Sequence, residues 1–371
     1  MAIQRLKVGI IGGGFMGRVH TNAARTAGGD VVAISSSSLA SAERAAAEFS
    51  IEQAYASSDD LLADPSIDVV HICTPNSTHA SLALAALLAG KHVICEKPLA
   101  TTSAEAQALV EAAAKSGKVA AVPFIYRYHP MVREARARVA SGQVGRVLSV
   151  RGSYLQDWLL EAGDNNWRVD TAAGGASRAF ADIGSHLVDL MEFVLGDRID
   201  SLSAITNTVH AERGGKKVET EDEAALVFAT KAGVIGTLFV SQVAPGRKNR
   251  LFIDISGLTE TIEFNQEQSE TLWLGRRTGS EVLPRDESQL HADAARLSIV
   301  PAGHPMGYVD AFAGLVRDVY DTINGRLIDG KLPVGVPMFA DGLRASQVTE
   351  AVLRSAKANA WVTLPSENAS A

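Results

Sequence analysis

Three groups of residues in this 371-residue chain have the types and spacing to do chemistry. Gly12, Gly14 and Gly17 form a G-x-G-x-x-G pattern directly after the apolar run Val8-Gly9-Ile10-Ile11. The first glycine permits a tight turn, the second lets a diphosphate approach the backbone, and the third lets a helix pack on a strand. A helix opening at Phe15 and Met16 would turn free N–H groups and a positive dipole end toward the phosphates. Alone, the pattern fits any tight turn; between a strand and a helix it marks a dinucleotide cradle. The second group, Glu96-Lys97-Pro98, follows the apolar run His92-Val93-Ile94-Cys95. There a lysine can donate to a reacting oxygen and favour a developing alkoxide, although a lysine at a strand end is commonly a solvated charge. The third group is Asp182 and His186, four residues apart at the start of an apparent helix and so on one face. Asp182 can equally cap that helix, and His186 can be a core histidine against Leu187, Leu190 and Phe193. A neutral imidazole is also suited to taking a hydroxyl proton near neutral pH.

Elements must hold these groups. Apolar runs at 7–11, 31–35, 69–73, 92–95 and 119–122 alternate with Ala-rich helical stretches at 15–27, 40–49, 77–89 and 103–115. Continuous apolar strands interleaved with helices predict a doubly wound parallel sheet over residues 1–123. Past Pro123 the texture changes. Strands are expected at 146–156, 201–210, 223–230, 233–240, 251–256 and 260–264, with hairpin turns at Gly214-Gly215, around Gly233 and at Ser256-Gly257. Residues 124–371 therefore predict an α+β domain on a large, mostly antiparallel, open meander sheet. Helices are expected at 131–140, 183–195, 306–323 and 340–357, the last packing back on the first domain.

The composition sets limits. The 46% hydrophobic content excludes general disorder, and the length argues for two domains. A net charge of −7 disfavours nucleic acid or an anionic membrane as main partner. The two cysteines, Cys73 and Cys95, lie in apolar runs and form no disulfide framework; nothing suggests a bound metal. With no signal-peptide pattern and no run near the ~20 apolar residues of a membrane span, the chain reads as soluble and cytoplasmic.

At the tip of the second strand an acidic residue would hold an adenosine 2′-hydroxyl and an arginine a 2′-phosphate. Ser35-Ser36-Ser37-Ser38 offers neither, while Arg44 stands a few residues later. NAD is expected, with NADP left open. Between Tyr154-Leu155-Gln156-Asp157-Trp158 and Asp182 runs an aromatic and polar stretch that includes Asn165-Asn166-Trp167-Arg168-Val169-Asp170 and Gly174-Gly175-Ala176-Ser177-Arg178. Aromatic faces covering C–H bonds, beside guanidinium and amide donors, suit a polyhydroxylated ring. The two tryptophans could instead pack an interdomain seam.

With the glycine loop, Cys73-Thr74-Pro75-Asn76-Ser77-Thr78-His79, Cys95-Glu96-Lys97-Pro98-Leu99, Arg127-Tyr128-His129-Pro130, Asp182-Ile183-Gly184-Ser185-His186 and Asp341-Gly342 together resemble the glucose–fructose oxidoreductase, inositol dehydrogenase and MocA family over nearly the full length. The resemblance implies that Thr74, Pro75, Asn76 and His79 line the cofactor cleft with Gly12, Gly14, Phe15, Met16, Gly17, Ser35, Ser36 and Arg127. It further implies that Glu96 contacts the nicotinamide ribose and that Lys97, Asp182 and His186 are catalytic. Gln156, Trp167 and Arg178 are expected at the substrate, together with Arg127, which could equally be an ion pair bracing the domains. The arrangement from Tyr154 to His186 looks like the subgroup of scyllo-inositol dehydrogenases that also oxidise L-glucose, and of levoglucosan dehydrogenases.

The implied reaction is NAD-dependent oxidation of a secondary or anomeric hydroxyl of a cyclic polyol or pyranose, of the scyllo-inositol and L-glucose type. The alternatives are a levoglucosan-type dehydrogenase, an NADPH-dependent sugar ketone or aldehyde reductase, an NAD-dependent glycosidase, and a non-enzymatic regulator. An exposed apolar sheet face in the second domain would be costly unless it meets another subunit, and the resemblance implies a homo-oligomer through that sheet, with a tetramer favoured over a dimer.

Overall fold

The computed structural model describes residues 5–328 and 330–365, which divide into two compact units. The first comprises Met1–Ile125 and Tyr308–Arg344. Its strands are β1 (Lys7–Ile11), β2 (Asp30–Ser35), β3 (Gln53–Tyr55), β4 (Val69–Ile72), β5 (His92–Cys95) and β6 (Ala120–Ala121). They form one parallel sheet in the order β3-β2-β1-β4-β5-β6. All four residues of β4 and the last four of β1 are buried, as strands covered on both faces require. Between the strands run α1 (Phe15–Thr26), α2 (Leu39–Phe49), α3 (Ser58–Ala63), α4 (His79–Leu88) and α5 (Ser103–Ser116). Ser38 and Ser57 cap α2 and α3, and a capping box of Thr102 and Glu105 starts α5 before Gly117 ends it in the left-handed region. The short strand β3 and helix α3 carry little apolar periodicity, and the sequence pattern misses both.

The segment that rejoins this unit runs from Tyr308 to Arg344, whereas most of the expected last helix, from Ala345 on, belongs to the second unit. Its helix Tyr308–Ile323 buries Phe312, Leu315, Val316, Val319 and Tyr320. Farther on, Val122 N donates to Pro337 O at 3.0 Å, and Gly342 lies against Leu99 and Val122.

The second unit, Tyr126–Gly307 with Ala345–Ala371, is built on β7 (Val147–Leu155), β8 (Ile199–Asn207), β9 (Glu212–Arg213), β10 (Lys216–Lys217), β11 (Glu223–Thr230), β12 (Ile235–Ser241), β13 (Arg250–Gly257), β14 (Thr261–Asn265), β15 (Thr271–Arg276), β16 (Gly279–Pro284) and β17 (Val362–Thr363). Nine of them form one sheet in the order β16-β15-β14-β13-β7-β12-β11-β8-β17, and β9 and β10 make a separate hairpin at Gly214-Gly215. The expected open meander needs correction. β7 inserts between β12 and β13, and β7 and β12 run parallel. Along β11, Ala224, Leu226, Phe228 and Thr230 are buried in alternation, which places every second residue on the core face. The helices Pro130–Ala140 and Ser185–Leu195 supply the rest of this core, including Met131, Val132, Leu187, Leu190 and Met191.

Candidate active site

In the first unit the glycines divide the labour of the turn between β1 and α1. Gly12 has φ +115°, and a Cβ there would meet Cys73 O at 2.7 Å. A Cβ on Gly17 would fall 2.0 Å from Gly12 O, so this position admits no side chain without moving backbone. Gly14 has no heavy atom within 4 Å of where a Cβ would stand, and it caps α1 without any side-chain hydrogen bond. The free first-turn N–H groups and the open space at Gly14 fit a diphosphate. Phe15 beside them is 76% exposed. At the tip of β2, Ser35 is buried, Ser36 bonds Ser41 through their hydroxyls at 3.1 Å, and Arg44 is exposed on α2.

The loops after β4 and β5 stand at the carboxyl edge of the sheet, where open α/β sheets bind ligands. Thr74 and Pro75 lead into a turn at Asn76–Thr78, with Asn76 buried and Thr78 Oγ1 donating to Thr74 Oγ1 at 2.6 Å. His79 is expected at the cofactor but is used between the two loops. Its Nδ1 lies 2.7 Å from Pro98 O and its Nε2 2.8 Å from Thr74 O. Burial lowers its pKa, against the pull of the two carbonyls. Glu96 is buried, with Oε2 accepting from Lys97 N at 3.1 Å and Oε1 lying 3.0 Å from His20 Nε2. Lys97 is half-buried. Burial pushes the Cys73 and Cys95 thiols well above their ordinary pKa, so neither is a thiolate nucleophile at neutral pH.

In the second unit Asp182 belongs to a π-helical turn, Phe180–Gly184, that precedes the regular helix Ser185–Leu195. That helix is capped by Gly184, so the cap alternative for Asp182 does not hold. The Asp182 carboxylate accepts from Gln242 Nε2 at 2.8 Å through Oδ2 and lies 3.4 Å from Arg168 Nε through Oδ1. His186 is 8% exposed and meets two aromatic rings, Tyr126 edge-on at 5.1 Å and Tyr154 at 6.5 Å. The two tyrosine hydroxyls bond at 2.6 Å, and both reach Asn249, whose Oδ1 also accepts from Gln156 Nε2 at 2.9 Å. Trp158 Nε1 donates to Gln156 Oε1 at 2.7 Å, so both ends of the Gln156 amide are held. Burial raises the pKa of Tyr126, and the Asp182 charge adds to the shift. Trp167 is half-buried, with the Arg168 guanidinium 4.4 Å from its ring centroid.

Two of the arginines expected at the ligands are engaged in buried ion pairs. Arg178 is fully buried, with its guanidinium paired to Asp222 and its N–H donating to Glu221 Oε1 at 3.0 Å. With its guanidinium paired to Asp222 in the core, it is corrected from a substrate contact to a structural ion pair. Arg127 makes a two-pronged pair with Asp189, Nε to Oδ2 at 2.8 Å, with its guanidinium 5.0 Å from the Phe193 ring centroid. Both partners lie in the second unit, so the pair is not a brace from one domain to the other. His291 and His304 are loop residues. His291 Nδ1 lies 2.9 Å from Glu134 Oε2, and His304 is exposed.

Sequence patterns missed Gln242, Asn249, Arg168, Tyr126 and Tyr154 as neighbours of the acid–base pair. The parallel pairing of β7 with β12 brings Gln156 and Gln242 to adjacent strand ends, where Gln156 N donates to Ser241 O at 2.8 Å. That pairing was the missing signal, because no turn in the sequence announces it.

The strand order, the glycine turn and the carboxyl-edge Glu-Lys pair define a dinucleotide-dependent oxidoreductase. A family model described as "Oxidoreductase family, NAD-binding Rossmann fold" matches residues 6–124, and the "GFO/IDH/MocA C-terminal domain" matches residues 132–263. Levoglucosan dehydrogenase of Pseudarthrobacter phenanthrenivorans is 31% identical, over 98% of this chain and 99% of that protein. A solved levoglucosan dehydrogenase in complex with NADH and levoglucosan superposes with a TM-score of 0.91 at 31% identity, over 98% of this chain and 100% of that one. An inositol dehydrogenase homologue from Azotobacter vinelandii, complexed with NAD+, gives 0.90 at 27% identity, over 97% of each chain. The chain belongs to the GFO/IDH/MocA family of oxidoreductases, and its first unit is an NAD-binding domain. Among the described residues there is no cluster of metal ligands and no helix long and apolar enough to cross a membrane.

Proposed function

We propose that this protein oxidises a ring hydroxyl of a six-membered cyclic polyol or pyranose with NAD, and that Lys97, Asp182 and His186 carry the proton chemistry. The observation that carries the proposal is the acid–base pair: a buried imidazole at a helix start, with a carboxylate four residues upstream held by two donors. Bound NAD supplies the hydride acceptor. His186 takes the hydroxyl proton on its imidazole, and Asp182, fixed by Gln242 and Arg168, sets the direction from which that proton leaves. Lys97 donates to the same oxygen and favours the alkoxide character that develops on it. Gln156 and Trp167 orient the ring. Gly12, Gly14, Phe15, Met16, Gly17, Ser35, Ser36, Thr74, Pro75, Asn76, Glu96 and Arg127 are assigned to the dinucleotide, with His79 supporting the two loops that face it.

Within this class the scyllo-inositol and L-glucose type remains our first choice. The near full-length likeness to a levoglucosan dehydrogenase favours a second reading, in which levoglucosan is the better substrate. A cytoplasmic location, where NAD is available, and a homotetramer complete the proposal. The second-unit sheet leaves Ile205, Ile235, Phe239 and Val282 between 40% and 66% exposed, an apolar face that another copy of the chain would cover. One experiment tests the whole: NADH formation by the purified chain across inositol isomers, D- and L-glucose and levoglucosan, with light scattering on the same sample. Turnover on at least one of these rings, with NAD preferred over NADP and a mass of four chains, is the expected result. No NADH from any of them overturns the assignment.

A further inference from the structure

Glu96 ends a buried row of hydrogen-bonding side chains that the chemistry above does not use. Its Oε1 lies 3.0 Å from His20 Nε2, His20 Nδ1 lies 2.9 Å from His71 Nδ1, and His71 Nε2 lies 2.9 Å from Tyr320 Oη. The four side chains come from the loop after β5, from α1, from β4 and from the helix Tyr308–Ile323. His20 and His71 have no exposed surface, and the Phe312 ring packs edge-on to His20 with centroids 4.8 Å apart.

With both imidazoles neutral, the partners fix the direction of every bond. A carboxylate can only accept, so His20 carries its hydrogen on Nε2 and, as a neutral imidazole, accepts at Nδ1. His71 must then donate from Nδ1, which leaves its Nε2 to accept the Tyr320 hydroxyl. The reverse order would put a proton on Glu96 and leave the buried phenolic O–H without an acceptor, because His71 Nε2 is its hydrogen-bond partner among the described residues. Burial works the same way. It pushes the His71 pKa well below the ordinary imidazole value and that of Tyr320 well above the ordinary phenol value, so neither changes charge at neutral pH.

We propose that Tyr320, His71 and His20 form a one-way hydrogen-bond relay that positions the Glu96 carboxylate for the dinucleotide. The relay rests on the assignment of Glu96 to the nicotinamide ribose. It makes His20 a positioning residue and ties dinucleotide affinity to a helix far along the chain. Calorimetric NADH binding to the full chain separates this role from simple packing. Gln at position 20 keeps a donor where Nε2 stands, whereas Asn keeps one only where Nδ1 stands. His20→Gln is expected to bind NADH within about twofold of wild type, and His20→Asn about tenfold more weakly, the scale of one charge-assisted hydrogen bond. The KM for NAD should rise in His20→Asn by more than kcat falls. Equal weakening in both variants overturns the relay. Tyr320→Phe removes only the hydroxyl, and about threefold weaker NADH binding is expected from losing a bond at the far end. Nitrogen-15 spectra of the histidine-labelled chain should show His20 in the Nε2–H form and His71 in the Nδ1–H form; the opposite tautomer at His71 overturns the direction argued above. Glu96→Gln separates the two layers. NADH binding unchanged in that variant sinks the assignment of Glu96 itself, while weaker binding there beside wild-type binding in His20→Asn sinks the relay alone.

Discussion

Asp182 is held by an amide on one oxygen and a guanidinium on the other, at 2.8 and 3.4 Å. Gln242 is fully buried, so its amide is fixed in the core rather than offered to solvent. Gln242→Leu keeps the volume and removes the donor. Loss of a hydrogen bond to a charged group should lower kcat about tenfold. Steady-state kinetics beside NADH binding checks this: affinity should hold while turnover falls, and unchanged kcat would remove Gln242 from the set. The patterns that nominate the proposed chemical residues are legible in sequence, because glycine spacing and the Glu-Lys and Asp-His pairs are local. Their supports are not. Arg178 sits in the same run of residues as Asp182, yet its partner Asp222 lies 44 positions away, and only tertiary structure shows that it is spent there.

At the scale of elements, the turn into α1 separates a structural glycine from a binding one. Gly17→Ala forces a Cβ to 2.0 Å from Gly12 O, a clash with backbone that should cost about 1–3 kcal/mol of stability. Gly14→Ala meets nothing within 4 Å and should keep the melting temperature. It should nevertheless weaken NADH binding about tenfold or more, because the new methyl occupies the approach of the diphosphate. Melting curves and NADH titrations of the two variants check the contrast, which a merely tight turn would not produce. The longer strands and helices of the first unit were legible because each apolar run is continuous, with α2 and α5 beginning at side-chain caps. In the second unit the individual strands were legible and their order was not, since β7 reaches its place between β12 and β13 through pairings 86 residues apart with β12 and 95 to 110 apart with β13.

For the whole molecule, pH is the informative variable. Burial lowers the pKa of His71 and His79 and brings His92 and His129 to about 4. An unfolded chain protonates these groups near 6.5 while the folded one resists, so the stability they confer is present above 6.5 and is lost as pH falls toward 4. Burial raises the carboxyl pKa of Glu221, Glu263 and Asp321, which opposes this loss, and a single-site variant therefore isolates the histidine contribution. His129, 2% exposed and stacked on Tyr126, is the cleanest because burial alone shifts it. His129→Gln should flatten the slope of unfolding free energy between those limits by up to about 1.4 kcal/mol per pH unit, the value of one proton. Parallel slopes in variant and wild type would contradict it.

In the proposed reaction, Lys97 and His186 handle the proton of a hydroxyl oxidised by NAD. The most direct measurement is the rate of NADH formation on the best ring substrate for wild type, Lys97→Ala and His186→Ala, with NADH affinity read on the same preparations. Each substitution should lower kcat by about two to three orders of magnitude while affinity for NADH stays within about threefold. Wild-type turnover in either variant would contradict it.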